Sequence, residues 1–543
     1  MTNLIKSNKP DQSPSCSTVP CDDEPVAIDQ NRFRLRTLIA LFMAESLALA
    51  LLQLPLTLDF SSFMLMDQGS NLTVQKLLDR GLIPTVDFGY QYGLLALLIG
   101  RTWFALLGQT PEAYAAAMLV FDLLIAWGLA RCAYALRAGL VGITLLLFTM
   151  LATTLGSYIN LAHACEATLI CHALAEHANG RRPRALALLT ACLFAKPVMA
   201  YVYGFLIVLL IVRRGGILGL MRSAPPAIAV GALLLTGLAA WFGLGPVVQT
   251  LLPLRGAEAY RILNHGFFFG IGRDFWLPPR VTPRHYIFSP AGHYLVGSVV
   301  LVAATIASIW RLVRRAAAID DINAEVIACC GIMHLSFLTS FYGAWASWTY
   351  YYYILIIGLV AVAARGRRSA MVIALLAVMA LAGFKDTATY IKSEWLHKIR
   401  AADTFGLWAD TDFREEWRQI RQITEDKPAS FIANNGGCLE MFAPQFANAE
   451  DMFLTPGWPI HTELQRKIQQ ITMAEIVVIS KVGCVRPMLD LWPEFREALN
   501  GFELVKSTQR FLIYQRSRSS PLHHTELKAK SARIGRQASR ILK

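Results

Sequence analysis

Four aspartates, Asp59, Asp67, Asp79 and Asp87, crowd a polar stretch at 58–111 that directly follows an apolar run. A carboxylate held beside hydrocarbon is costly, which makes it a candidate for chemistry. The four are not equivalent. Asp79 stands three residues from Lys76 and beside Arg80, so a solvated helix pair accounts for it, and Asp59 reads as an ordinary loop charge. Asp67 comes straight after the apolar run, where restricted access of water can retune a carboxyl group. Asp87 is expected to support it by shaping the loop or binding a ligand. Cations that could meet an anion stand further along. Lys196 is the only charge between Arg184 and Arg213, and Arg255, Arg261, Arg273, Arg280 and Arg284 follow within 254–290. A lone lysine in an apolar segment either pairs with an anion or snorkels to the interface.

The elements that must position these residues are membrane helices. The 543 residues are 55% hydrophobic and 16% charged, with a mean hydropathy of +0.43. Apolar runs near 20 residues, separated by short Arg-rich links, describe an all-α polytopic membrane protein. The net charge of +13 then reports topology, and no basic patch with interleaved aromatics suggests nucleic acid. About eleven spans are expected, at roughly 35–58, 112–130, 140–157, 160–178, 185–197, 199–212, 226–250, 292–310, 325–344, 349–364 and 369–388. Residues 1–31 read as a disordered cytoplasmic tail. The helix expected over 94–107 is about 21 Å long, too short for a core of about 30 Å. It is placed at the interface. Counting it as a span would put every Arg cluster on the outer side. A broken helix pair is expected to meet at Lys196 and Pro197.

This topology leaves 58–111 and 254–290 as external loops and puts everything after residue 389 outside. Residues 389–515 read as a small α/β or α+β domain: an amphipathic helix over 393–423, a strand from Ser430 to Asn434, a helix from Thr462 to Met473, a strand from Glu475 to Ser480 and a hairpin from Phe502–Lys506 to Phe511–Gln515. Cys438 and Cys484 could form a disulfide there. Cys132, Cys165, Cys171, Cys192, Cys329 and Cys330 lie in apolar runs and read as buried small hydrophobes. Residues 516–543 form a basic tail that suits solvent or anionic lipid.

Asp67, Gly69, Gly81, Pro84, Asp87, Phe88, Tyr92, Gly93 and Gly108 carry the pattern of an acid after the first span, G-x-x-P-x-x-D-F-x-Y-x-Y-G, and a glycine-ended interface helix. This resembles the membrane-embedded GT-C type glycosyltransferases, which include protein O-mannosyltransferases and lipid A aminoarabinose transferases. The motif match covers about residues 35–112, and the rest is a match of architecture. The resemblance implies that Asp67 is the catalytic base and that the donor is a polyprenyl-phosphate sugar. The acceptor would be a lipid, a glycan or a protein, and membrane lipids are further partners. Such transfer needs a carboxylate to take the acceptor's proton and polar or cationic groups to hold the departing phosphate. Tyr92, His163, Glu166, Lys196, His265 and Arg273 are the substrate-binding candidates. Phe267, Phe268, Phe269, Phe275 and Trp276 could line a groove for a prenyl chain or form an aromatic belt. The second external loop has Asn160 where an acid is usual in that family, so no firm metal site or cofactor is expected. Glu45, Asp122, Glu176 and His334 read as paired contacts within the bundle. A transporter or lipid flippase is the rival reading, but it calls for mid-membrane charges and an internal repeat, and no repeat is visible. A non-catalytic scaffold would have no need of the Asp67 loop.

Overall fold

The computed structural model describes residues 24–65, 67–90, 92–138, 146, 160–252, 290–314, 321–339, 352–365, 392, 395–425, 427–432, 461–481 and 493–517. Within these, the chain is mostly helical with a small sheet near its C-terminus. Four described helices are long and apolar enough to cross a membrane: Pro111–Ala135, Pro197–Ser223, Pro225–Phe242 and Val296–Arg314. Together with the shorter apolar helices, they make this a membrane protein.

Helix α1 (Glu24–Leu52) starts within the segment read as a polar tail and stops short of residue 58. A break at Gln53, with Pro55 just beyond, turns the chain into α2 (Leu54–Thr57), α3 (Phe60–Leu65) and α4 (Asp67–Asp79). Next comes α5 (Leu94–Leu107), which has the expected bounds and ends at Gly108, whose φ of 85° suits glycine. Helices α6 (Pro111–Ala135), α7 (Leu161–Ala178) and α8 (Arg182–Ala195) pack side by side. At Gly128 a Cβ would come within 2.8 Å of the Cys171 Cβ, so α6 and α7 approach as only a small residue allows. Helix α9 (Pro197–Ser223) is kinked at Gly216, whose φ is 59° and ψ −161°, so its first segment stops within a few residues of the expected 212 and a second short segment follows. The span expected over 226–250 is divided at Gly243 into α10 (Pro225–Phe242) and α11 (Leu244–Leu251). Helices α12 (Pro290–Arg314), α13 (Ile322–Thr339) and α14 (Tyr352–Ala363) form a second group, and α13 leans on α9.

Several of the bundle's inward charges are paired, but Glu45, which was expected to be, has a buried carboxylate oxygen with no hydrogen-bond partner among the described residues. Glu325 is fully buried and accepts from Arg182 at 2.7 Å and from Arg214 Nε at 3.1 Å, with His177 Nε2 also 3.1 Å away. Glu176 pairs with Arg131, and His334 bonds the Ser298 hydroxyl at 2.8 Å. The six cysteines expected to be buried are buried and free.

The C-terminal region departs from expectation at its start. A long amphipathic helix from 393 is not what forms. Instead a short antiparallel pair, β1 (Ile399–Arg400) and β2 (Trp408–Ala409), turns through Phe405 and Gly406, both at positive φ. Helix α15 (Thr411–Thr424) begins only at the Asp410 cap, whose carboxylate accepts the Phe413 amide at 2.6 Å. The four-stranded sheet then has the order β3 (Ala429–Ile432), β4 (Ile476–Ser480), β6 (Phe511–Arg516), β5 (Phe502–Ser507). Strands β3 and β4 run parallel, with Ala429 opposite Ile476. β4 with β6, and β6 with β5, pair antiparallel. Parallel neighbours need a crossover, and α16 (His461–Met473) lies between them in sequence. Period-2 alternation puts Ile476 and Val478 on one face of β4 and Val477 and Ile479 on the other. The first pair packs with Phe413, Trp417 and Phe60, the second with Leu464, Ile471 and Phe495 of α16 and α17 (Pro493–Ala498). The sheet is therefore covered on both faces, and part of that cover comes from the first loop.

Candidate active site

The centre of the candidate site is the break between α8 and α9. Proline has no amide hydrogen and forces the residue before it into an extended conformation. Lys196 accordingly adopts φ −160° and ψ 109°, between the two helices. Interrupting the helix leaves carbonyls to be satisfied from elsewhere. The Gly93 amide, from the first loop, donates to Ala195 O at 2.9 Å. Residue 93 has to be glycine for this, because a Cβ there would fall 2.0 Å from Phe194 O. The Tyr92–Gly93 end of the sequence motif is thus docked against the broken helix.

The Lys196 side chain is 2% exposed. Its Nζ lies 3.0 Å from Glu166 Oε2 and donates to His163 Nδ1 at 2.8 Å. An ammonium can only donate, so Nδ1 accepts and the imidazole proton sits on Nε2. His163 and Glu166 are three apart on α7 and so share a helix face. Asn160 positions that helix. It is the N-cap, and its side-chain oxygen accepts the Ala162 amide at 2.8 Å. The asparagine found where an acid was sought therefore serves as a cap. The Tyr92 ring stands edge-on to His163 with centroids 5.6 Å apart, and Tyr90 stands edge-on to Tyr92 at 5.9 Å. Burial, with a smaller contribution from the neighbouring Cys165, pushes the Tyr90 phenol up, so it is a neutral hydroxyl.

Beside this cluster lies a shallow polar cleft with a cavity volume of about 10 Å³, room for about one water molecule. Ser70, Asn71 and Gln75 of α4 line it, with Tyr90, Tyr92 and Asn160 opposite. Hydroxyls, amides and aromatic faces can hydrogen-bond and stack on a polyhydroxylated ligand. Among the described residues, no three His, Cys, Asp or Glu side chains gather closely enough to hold a metal ion.

The structure thus brings Tyr92, His163, Glu166 and Lys196 together. Asp67 is the first residue of α4, and its side chain lies outside the described residues, as do His265, Arg273, the aromatic run at 267–276, Cys438 and Cys484. Asp87 is placed apart from the cluster's ion pairs. Its carboxylate accepts the Ile83 amide at 2.7 Å and closes its own turn, where Thr85 takes a φ of 66°. Asp79 is tied to α5 through Arg101 and to Gln109. Burial pushes its carboxyl up, but the hydrogen bonds from Arg101 and Gln109 and the Arg101 charge outweigh this and hold it below the usual aspartate value.

Asp59, read from sequence as an ordinary loop charge, is 3% exposed. Its carboxylate caps α3 through the Ser62 amide at 2.9 Å, accepts from the Ser61 and Ser62 hydroxyls, and takes an ion pair from Lys398 at 2.7 Å. An aspartate just before a short apolar helix is a cap signal that could have revealed part of this.

No protein-family model matches the chain, and no curated protein matches it. Among solved structures it is similar to crystal structures of ArnT from Cupriavidus metallidurans in the apo state and bound to undecaprenyl phosphate. Identities are 14% and 15%, TM-scores are 0.40 and 0.37, and each match covers 89% of this chain and 98% of the other. The chain therefore resembles GT-C type glycosyltransferases in its first-loop motif and is similar to ArnT among solved structures.

Proposed function

We propose that the chain is a GT-C type glycosyltransferase. It moves a sugar from a polyprenyl-phosphate donor to an acceptor at the external face of the membrane, with Asp67 as general base. One observation carries this reading. The cleft-lining residues of α4, Ser70, Asn71, Val74 and Gln75, stand three, four, seven and eight positions after Asp67. That is the spacing of a single helix face, which supports a role for position 67 at the cleft. Tyr92 and Asn160 line the same cleft, and Tyr92 packs on His163 of the Lys196 cluster.

In the proposed reaction the acceptor hydroxyl oxygen attacks the anomeric carbon as its proton passes to the Asp67 carboxylate. The bond from that carbon to the phosphate oxygen breaks, and polyprenyl phosphate leaves with the electron pair. Positive charge near the phosphate stabilises the separating anion. Lys196 supplies some of it at the broken helix, shared with Glu166, and His265 and Arg273 are the candidates from 254–290. Tyr92 gives the cleft an aromatic wall for the sugar, with His163 packed behind it. The external placement rests on the Arg-rich links, which assign the other side to the cytoplasm.

The test is Asp67→Asn in membranes supplied with a radiolabelled polyprenyl-phosphate sugar. Incorporation should be abolished while expression and membrane insertion stay at wild-type levels. Full transfer by that variant removes Asp67 from the chemistry.

A further inference from the structure

The first loop does not stand alone on the membrane helices. The C-terminal domain grips it at both ends. At the near end, Trp395 Nε1 donates to Leu52 O at 2.9 Å and the Trp408 amide donates to Leu58 O at 3.0 Å. Lys398 Nζ reaches the buried Asp59 carboxylate at 2.7 Å, the group that also caps α3. The next residue, Phe60, is fully buried with its ring edge-on to Phe413 at 5.8 Å and to Trp417 at 5.6 Å, inside the C-terminal domain's own core. At the far end, Arg466 of α16 donates to the carbonyl of Asp87, the residue whose side chain closes the turn leading to Tyr90 and Tyr92. Asp67 and the cleft face of α4 lie between these two grips. From Asp59 to Asp67 the chain advances only about 12 Å at helical rise, so a shift at the Asp59 end is passed on through one short helix.

We propose that the C-terminal domain is a clamp that positions the Asp67 loop, and that Lys398, acting through Asp59, is its principal positioning residue, with Arg466 holding the far end. Neither side chain needs to touch substrate. A misplacement of about 1 Å in a reacting group can lower a rate about a hundredfold, and a half-held loop gives that much latitude. The burial of Asp59 makes the grip stringent, because its carboxylate has to be compensated where it stands. The catalytic part of this inference rests on the transferase reading, whereas the mechanical part does not.

The experiment compares full-length wild type with Lys398→Met, Lys398→Arg and Arg466→Gln in detergent or nanodiscs. Hydrogen exchange of the amides at 61–79 is measured alongside transfer kinetics. Lys398→Met should raise exchange over 61–79 at least tenfold, leave exchange in α6 and α7 unchanged, and lower kcat ten- to a hundredfold with KM for the donor within twofold. Lys398→Arg should restore most of both, and Arg466→Gln should loosen the 80–90 side. Unchanged exchange at 61–79 in Lys398→Met overturns the clamp whatever happens to activity, as does loosening that spreads equally through α6 and α7. If exchange responds as expected but Asp67→Asn still transfers sugar, the clamp stands and the catalytic assignment of Asp67 fails.

Discussion

Replacing Lys196 by methionine isolates the buried cluster from everything around it. The ammonium lies 3.0 Å from Glu166, and both side chains are 2% exposed. Two unit charges at that separation attract by about 5.5 kcal/mol at an effective dielectric constant of 20, before the cost of removing either from water is charged against the pair. The net worth of the intact pair is much smaller. Removing one partner is the expensive perturbation, at about 3–5 kcal/mol, because the other charge stays buried. Lys196→Met should therefore lower stability by about 3–5 kcal/mol. Lys196→Met combined with Glu166→Gln removes both charges at nearly constant volume and should return to within about 1 kcal/mol of wild type. Unfolding of the detergent-solubilised chain can be followed by labelling of the six buried cysteines with a thiol-reactive dye. A Lys196→Met variant within about 1 kcal/mol of wild type would falsify the buried pair. A double variant as unstable as the sum of the singles would show that charge compensation is not what holds the two helices here.

Other substitutions probe neighbouring links. Gly93→Ala would bring a Cβ to 2.0 Å from Phe194 O, so the loop has to pull away from the broken helix; a loss of about 1–3 kcal/mol and at least tenfold lower transfer are expected, and wild-type behaviour in both counts against the docking. Glu325→Gln takes the charge from under Arg182 and Arg214 and should destabilise the bundle by about 3–5 kcal/mol, read by the same dye labelling. Asp403 offers a pH test in the C-terminal domain. Slight desolvation raises its carboxyl, but hydrogen bonds from Arg414 and Arg418 and their charges outweigh this, so its folded-state pKa is lowered. A lowered carboxyl contributes stability that is fully present above its unfolded value near about 3.9 and is lost as pH falls through the folded value. Asp403→Asn should cost less than about 1 kcal/mol at pH 7 for so accessible a group, and less again at pH 2. An equal cost at both pH values would mean that the effect is not ionic.

How far the sequence can be read depends on where each group finds its partner. The helix break at Lys196–Pro197, the bounds of α5 and the apolar runs of β3, β4 and β6 are set by neighbours within a few residues, and all of these were legible. Proline removes its own hydrogen bond, glycine ends its own helix, and a short apolar run such as Ile476–Ser480 suits a strand covered on both faces. The span boundaries at residue 58 and over 226–250 were less legible, because Gln53–Pro55 and Gly243 interrupt runs that remain apolar throughout. Lys196 stands out in the sequence because an isolated cation in an apolar segment has to be compensated. Hydropathy could not say that Glu166, 30 positions earlier, takes part in that compensation. Asp59 was misjudged for the same reason. The neighbouring Ser61 and Ser62 are hydrogen-bond donors to a buried carboxylate whose cation lies 339 residues away. Local pattern reveals that a charge is expensive, and only the fold reveals what compensates it. In the first loop the compensation is divided: Asp79 takes its cation from Arg101 of α5 and Asp87 an amide from its own turn, whereas the buried Asp59 takes its cation from Lys398 of the C-terminal domain. That division follows from burial, because Asp79 and Asp87 stay close to water and Asp59 sits beside Phe60, which enters the C-terminal domain's core.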